Sequence, residues 1–133
     1  MKFLLDTNIC IYLLKKKLEK VSKRFSTAKK KDLRISSITL SELEFGIAKS
    51  EAIEKNKRTI EVLLFILNVI PFTEEDAKVY GPIKAKLEKF GTLIVPLDTL
   101  IAAHALSRGF ILVTNNEREF KRVYGLQIDN WLS

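Results

Sequence analysis

The 133-residue sequence is poor in the residues on which several common chemistries depend. Its single cysteine, Cys10, excludes an intrachain disulfide, and its isoleucine neighbours favour a small buried hydrophobe over a reactive thiol. Its single histidine, His104, excludes a metal-free nuclease that pairs one histidine as acid with another as base. We expect His104, flanked by alanines within a predicted helix, to be structural. The five glycines form no phosphate-binding loop, which argues against a nucleotide-binding enzyme.

Long apolar runs are also missing. The longest, residues 62–67, is too short to span a bilayer, and the apolar residues 3–5 are too few for a signal peptide. With the lone cysteine, this predicts a cytoplasmic protein without a membrane partner. The length and the 47% hydrophobic content predict one globular domain over residues 1–133.

The net charge of +7 comes from one segment. Residues 15–34 hold ten basic and two acidic side chains, or +8, so the other residues hold thirteen basic and fourteen acidic ones, or −1. Such a segment could hold RNA through its backbone phosphates. It could equally be a solvated helix face or a site for an acidic protein.

Strand-like runs alternate with helical stretches along the chain. The predicted strands are 2–5, 33–38, 68–72, 110–114 and 126–128. The predicted helices are 8–14, 18–29, 40–67 with a break near Ser50, 73–90 with a bend at Pro82, 98–109 and 117–123. This alternation predicts an α/β fold of three layers, α/β/α, with a central, mostly parallel sheet of about five strands.

Polar side chains follow the two most apolar strands. Asp6 ends the first strand, and Thr114, Asn115 and Asn116 end the fourth. Sites in open parallel sheets form beyond the carboxyl ends of the strands. If these two strands are the adjacent central pair, these side chains meet at one edge.

Other acids could reach the same edge. Glu42 begins a helix after the second strand, and Asp98 opens another helix. Each acid has an ordinary alternative, since Asp6 could form a turn, Asp98 could cap its helix, and Glu42 or Glu119 could be solvated. Only their combination favours a site. Crowded carboxylates bind hard cations, so Mg²⁺ or Mn²⁺ is expected, with one or two ions allowed.

Four ordered blocks covering the chain resemble the VapC-like PIN domains. They are Asp6-Thr7-Asn8, Ser41-Glu42-Leu43 with Gly46, residues 96–103 (PLDTLIAA), and residues 112–120 (LVTNNEREF). The resemblance implies a PIN-like fold and an endoribonuclease that depends on Mg²⁺ or Mn²⁺ and acts on structured RNA such as tRNA. It also implies a toxin that forms homodimers and is inhibited by a VapB-like antitoxin, through which alone it would contact operator DNA.

The resemblance assigns roles to individual residues. Asp6, Glu42 and Asp98 match the three core acids of the family. Many PIN domains carry Asp where this chain has Asn116, so Glu119 is favoured as the fourth acid and metal ligand, with Asn116 as a polar helper. The change at Asn116 puts a second metal ion in question. Supporting hydrogen bonds to ligands or phosphate are assigned to Thr7, Asn8 and Thr114.

Two other functions are weighed against an RNA-cleaving toxin. A catalytically inactive PIN-fold module could grip RNA or a protein, although intact acids in the matching blocks argue against it. A signalling domain phosphorylated on aspartate usually has that residue at the end of the third strand, and residues 68–72 offer none.

Overall fold

The computed structural model describes residues 1–15 and 19–132. The strands are β1 (Phe3–Leu5), β2 (Leu33–Ser36), β3 (Asn68–Ile70), β4 (Ile111–Val113) and β5 (Ile128–Asp129). The helices are α1 (Thr7–Lys15), α2 (Glu19–Thr27), α3 (Ser37–Ala48), α4 (Ile53–Ile66), α5 (Glu74–Lys89), α6 (Pro96–Arg108) and α7 (Glu117–Phe120), and a 3-10 helix spans Lys30–Asp32. The predicted start of the second helix at Leu18, and Lys16 and Lys17 of the basic segment, lie outside the described residues.

The five strands form a parallel sheet in the order β3-β2-β1-β4-β5. β1 therefore lies between β2 and β4, and Leu5 is paired with Val113. This confirms that the two most apolar strands are neighbours at the centre of the sheet. Their carboxyl ends, and the polar residues that follow them, meet at one edge as predicted.

Side chains that alternate along β1 enter two separate cores. Leu5 packs with Ile9 and Val21 on one face, whereas Leu4 packs with Ile101 and other side chains on the opposite face. All five are fully buried. Helices therefore cover both faces of the sheet, which confirms the three-layer α/β/α fold.

Several predicted boundaries were wrong by a few residues. The second strand ends at Ser36 instead of residue 38, and α3 begins at Ser37 instead of residue 40, because Ser36 caps the helix by accepting the Ile38 N–H at 3.0 Å. α6 begins at Pro96, since proline suits a first helical turn that needs no N–H donor. Asp98 thus lies within the first turn and does not open the helix. α7 ends at Phe120, and β5 lies at 128–129.

No helix within residues 1–15 and 19–132 combines the length and the apolar character needed to cross a bilayer.

Candidate active site

Asp6 is held rigidly where β1 passes into α1. Its backbone N–H donates to the carbonyl of Val113 at 3.0 Å, which fixes it against β4. Its Oδ1 accepts the N–H of Ile9 at 2.9 Å, and its carboxylate also accepts a hydrogen bond from the Thr114 side chain. Asp6 therefore caps the start of α1, and it also lines the cavity described below.

The carboxylate of Asp6 is destabilised in its charged form. Only 4% of the residue is exposed, and this burial raises its pKa to about 6. The hydrogen bonds from Thr114 and Ile9 oppose the rise, while the charges of Asp98 and Glu42 add to it. Asp6, Glu42 and Asp98, from three separate parts of the chain, therefore lie within electrostatic range of one another.

Glu42 extends from α3 toward the start of α1. Thr7, the first residue of α1, donates its hydroxyl to Oε1 of Glu42 at 2.6 Å. The same Thr7 hydroxyl lies 3.5 Å from that of Thr39, which is buried on α3. This contact fixes one carboxylate oxygen of Glu42 and leaves the other unengaged by Thr7.

Asp98 brings α6 to the same place. Burial is the largest cause that raises its pKa to about 6, followed by the charges of Glu42 and Glu119. Glu119 lies on α7 and is partly buried. All four predicted acids are thus electrostatically connected through Asp98 and Asp6.

A cavity of about 960 Å³ opens at this edge of the sheet. Most of the predicted site residues line it, namely Asp6, Thr7, Asn8, Glu42, Asp98 and Asn116. Two are not among its lining residues. Thr114 is fully buried, where it supports Asp6 and accepts the N–H of Asn116 at 2.9 Å. Glu119 acts on the site through its charge on Asp98.

The donor chemistry of this cavity suits a hard divalent cation. Its acids offer only oxygen, and two have raised pKa values that a cation would lower. Within the described ranges, however, no group of three or more His, Cys, Asp or Glu side chains is gathered closely enough to hold a metal ion. Binding of one ion by three or more of these acids therefore requires their side chains to move toward one another.

Two lysines on the cavity wall were not predicted from the sequence. Lys49 and Lys55 line the cavity together with Lys15, which belongs to the predicted basic segment. Lys49 Nζ lies 4.9 Å from the ring centroid of Phe45, a cavity residue that is 66% exposed. No local pattern in the sequence indicates that lysines near the α3–α4 junction line this cavity.

Some cations of the predicted basic segment have partners within the chain. Arg24 forms an ion pair with Asp129 at 2.9 Å and lies over the ring of Trp131. Lys30 donates to the carbonyls of Phe25 and Ala28. These two cations are therefore engaged within the chain, whereas the positive charge on the cavity wall comes from Lys15, Lys49 and Lys55.

Comparisons with known proteins place this architecture. The PIN domain family model matches residues 3–126. The chain is 44% identical over 131 residues to the tRNA(fMet)-specific endonuclease VapC of Shigella flexneri, covering 98% of each chain, and 45% identical over 132 residues to Ribonuclease VapC2 of Haemophilus influenzae, covering 99% of each. The crystal structure of DNA-bound VapBC from Salmonella typhimurium includes a chain with a TM-score of 0.93 and 44% identity, with 98% of each chain covered.

Proposed function

Because the chain belongs to the PIN-domain family, and within it to the VapC ribonucleases, we propose that it is a metal-dependent endoribonuclease that acts as the toxin of a VapBC-type pair. One observation carries the catalytic part of this proposal. Asp6, Glu42 and Asp98, which are far apart in sequence, line one cavity. There the charges of Asp98 and Glu42 add to the raised pKa of Asp6, and the charge of Glu42 adds to the raised pKa of Asp98. The expected substrate is a structured RNA, in particular a tRNA, in keeping with the name of the Shigella relative.

Four acids would hold the metal, which we propose to be Mg²⁺ or Mn²⁺. They are Asp6, Glu42, Asp98 and Glu119. A bound ion of this kind activates water as a nucleophile and stabilises negative charge on a phosphodiester. The electrostatic effect of Glu119 on Asp98 supports Glu119 as the fourth acid. Asn116, which lines the cavity, would be a polar helper.

The remaining polar residues orient the acids and the substrate. Thr114 and the Ile9 N–H hold Asp6 in one orientation, and Thr7 does the same for Glu42. Fixed carboxylates lose less freedom when a cation binds, so these hydrogen bonds favour metal affinity. Asn8, an exposed residue of the cavity wall, is placed to donate its amide to a substrate phosphate.

The lysines that line the cavity suit the RNA backbone. Lys15, Lys49 and Lys55 would neutralise phosphates on either side of the cleaved bond, and the exposed ring of Phe45 offers a surface for an unpaired base. Charge reversal in the basic segment between Lys15 and Arg34 should also weaken RNA binding without altering metal affinity. Equal RNA affinity after this reversal would exclude the segment from the binding surface.

The proposed partners are a VapB-like antitoxin, operator DNA through that antitoxin, and a second copy of the chain. The DNA-bound VapBC structure supports the first two. For the homodimer, α4 offers one exposed apolar face at helical spacing, formed by Val62, Phe65 and Ile66, and Phe65 is 93% exposed. Phe65→Asp should shift the chain alone from dimer to monomer in analytical ultracentrifugation. A dimer that persists would place the interface elsewhere. The lone buried cysteine fits a cytoplasmic location.

Cleavage of RNA tests the proposal directly. Purified chain should cut total tRNA, EDTA should stop the reaction, and Mg²⁺ or Mn²⁺ should restore it. Asp6→Asn should abolish cleavage, whereas Asp32→Asn, which alters an acid that does not line the cavity, should not. RNA binding without metal-restored cleavage would instead favour an inactive binding module.

A further inference from the structure

A buried chain of polar groups joins the start of α3 to the middle of α6. Nδ1 of His104 lies 2.8 Å from Oγ of Ser36, and both residues are fully buried. Oγ of Ser36 already accepts the N–H of Ile38, so its own hydrogen can be donated to His104. Nδ1 is then the acceptor of a neutral imidazole whose proton is on Nε2.

The other side of the His104 ring faces a charged anchor. Nε2 lies 3.5 Å from Oδ2 of the buried Asp76, which accepts two hydrogen bonds at 3.0 Å from Arg108 and one at 2.7 Å from the N–H of Thr73. Burial alone would raise the pKa of Asp76, but these hydrogen bonds lower it to about 2. Burial lowers the pKa of His104, so a neutral ring stands beside a permanent carboxylate.

The two helices joined by His104 are those that carry two of the proposed metal ligands. Glu42 follows Ser36 by six residues on α3, and Asp98 precedes His104 by six residues on α6. The charge of Glu42 contributes to the raised pKa of Asp98, so these two residues lie near each other. The Ser36–His104 pair and the Glu42–Asp98 pair therefore occur in the order expected of two antiparallel helices. Six residues span roughly 9 Å of helix. A tilt at the His104 contact therefore changes the separation of the two carboxylates.

We propose that His104 is a positioning residue of the active site, which sets the separation of Glu42 and Asp98 through its hydrogen bond to Ser36. This inference rests on the proposed metal-dependent cleavage and adds a residue that does not line the cavity. A histidine that only filled the core would change the free energy of unfolding. It would leave the metal affinity of the folded protein unchanged.

Three variants separate these roles. His104→Phe fills the ring volume without either nitrogen, whereas His104→Asn places an amide oxygen near the position of Nδ1. Val21→Ala removes core volume on α2, on the opposite face of the sheet from α6, and serves as a control for lost stability. Ser36→Ala and the Ser36→Ala, His104→Phe double variant complete a cycle that tests whether the two residues act together.

Mn²⁺ affinity by electron paramagnetic resonance, kcat, KM and amide hydrogen exchange are measured on each folded variant. His104→Phe should weaken Mn²⁺ binding or lower kcat by about 10- to 100-fold with little change in KM, and His104→Asn should recover most of the loss. The Ser36→Ala and His104→Phe effects should not add. Val21→Ala should keep wild-type Mn²⁺ affinity and kcat.

Two results would overturn the positioning role, namely wild-type metal affinity and kcat in folded His104→Phe, or equal losses in Val21→Ala. Failure of the proposed function would look different, because the wild-type chain itself would then neither bind Mn²⁺ nor cleave RNA. In that case amide exchange still decides the matter. His104→Phe should speed exchange in the first turns of α3 and α6, and unchanged exchange there would refute the role.

Discussion

Asp6→Asn should stabilise the protein in the absence of metal while it abolishes cleavage. The pKa of Asp6 rises from its ordinary value of 3.8 to about 6, chiefly through burial, so the folded state holds the charged form poorly. A rise of this size corresponds to roughly 3 kcal/mol at most. Asparagine keeps an oxygen for the Ile9 N–H but introduces an NH₂ group, so we expect a net gain of about 1 to 3 kcal/mol.

The sign of this effect depends on pH. A carboxyl whose folded-state pKa is raised contributes stability below its unfolded pKa, and this contribution is lost as the pH rises through the folded-state value. For Asp6 the loss falls between about pH 4 and pH 6. The advantage of Asp6→Asn over the wild type should therefore be small near pH 4 and complete above pH 7.

Urea unfolding followed by the fluorescence of Trp131, the only tryptophan, measures this difference. Both proteins are compared in EDTA at pH 4.5 and pH 7.5, with Asp32→Asn as the control for a carboxylate outside the cavity. Saturating Mg²⁺ should stabilise the wild type and not Asp6→Asn. The reasoning would be refuted if Asp6→Asn were the less stable protein at pH 7.5, or if its advantage were the same at both pH values.

Three more predictions follow from contacts around the site. Thr7→Val should weaken metal affinity about tenfold, because Glu42 loses the hydrogen bond that orients it. Thr27→Val, which removes a hydroxyl that donates only to the carbonyl of Arg24, should leave metal affinity unchanged. Isothermal titration with Mn²⁺ measures both affinities. Arg108→Ala should destabilise the fold by about 2 to 4 kcal/mol, because the buried carboxylate of Asp76 loses its counter-charge. Loss of the exposed ion pair of Arg24 should cost less than about 1 kcal/mol. Thermal unfolding measures both changes in stability. At subsaturating Mg²⁺, cleavage should increase as the pH rises through about 6, because protons compete with the cation for the two aspartates of raised pKa. A rate that stays flat from pH 5 to pH 8 under these conditions would contradict this.

The central sheet could be predicted from sequence because its signals are local. Apolar runs predicted β1 and β4, which are neighbours in the sheet. Because sites form beyond the carboxyl ends of parallel strands, Asp6 and Asn116 were correctly predicted to lie at one edge, where they line the same cavity. Predicted strand and helix boundaries were wrong where a single side-chain hydrogen bond sets the end of the element. Ser36 ends β2 by capping α3, although the apolar residues beyond it continue the strand pattern.

Long-range side-chain contacts could not be predicted. His104 was expected to be structural, but its partner Ser36 lies 68 residues away, and no pattern near either residue indicates the contact. Lys49 and Lys55 were missed for the same reason, since it is the packing of α3 and α4 with α1 that brings them to the cavity wall. The basic segment was conspicuous in the sequence, yet Arg24 within it contacts other parts of the same chain.

The binding of one cation by acids from separate parts of the chain is tested most directly by crystals soaked in Mn²⁺. Anomalous scattering should reveal an ion in the cavity, with carboxylate oxygens of Asp6, Glu42 and Asp98 among its ligands at about 2.1 Å. An ion that binds elsewhere, or a cavity that stays empty of manganese at saturating concentration, would contradict the account.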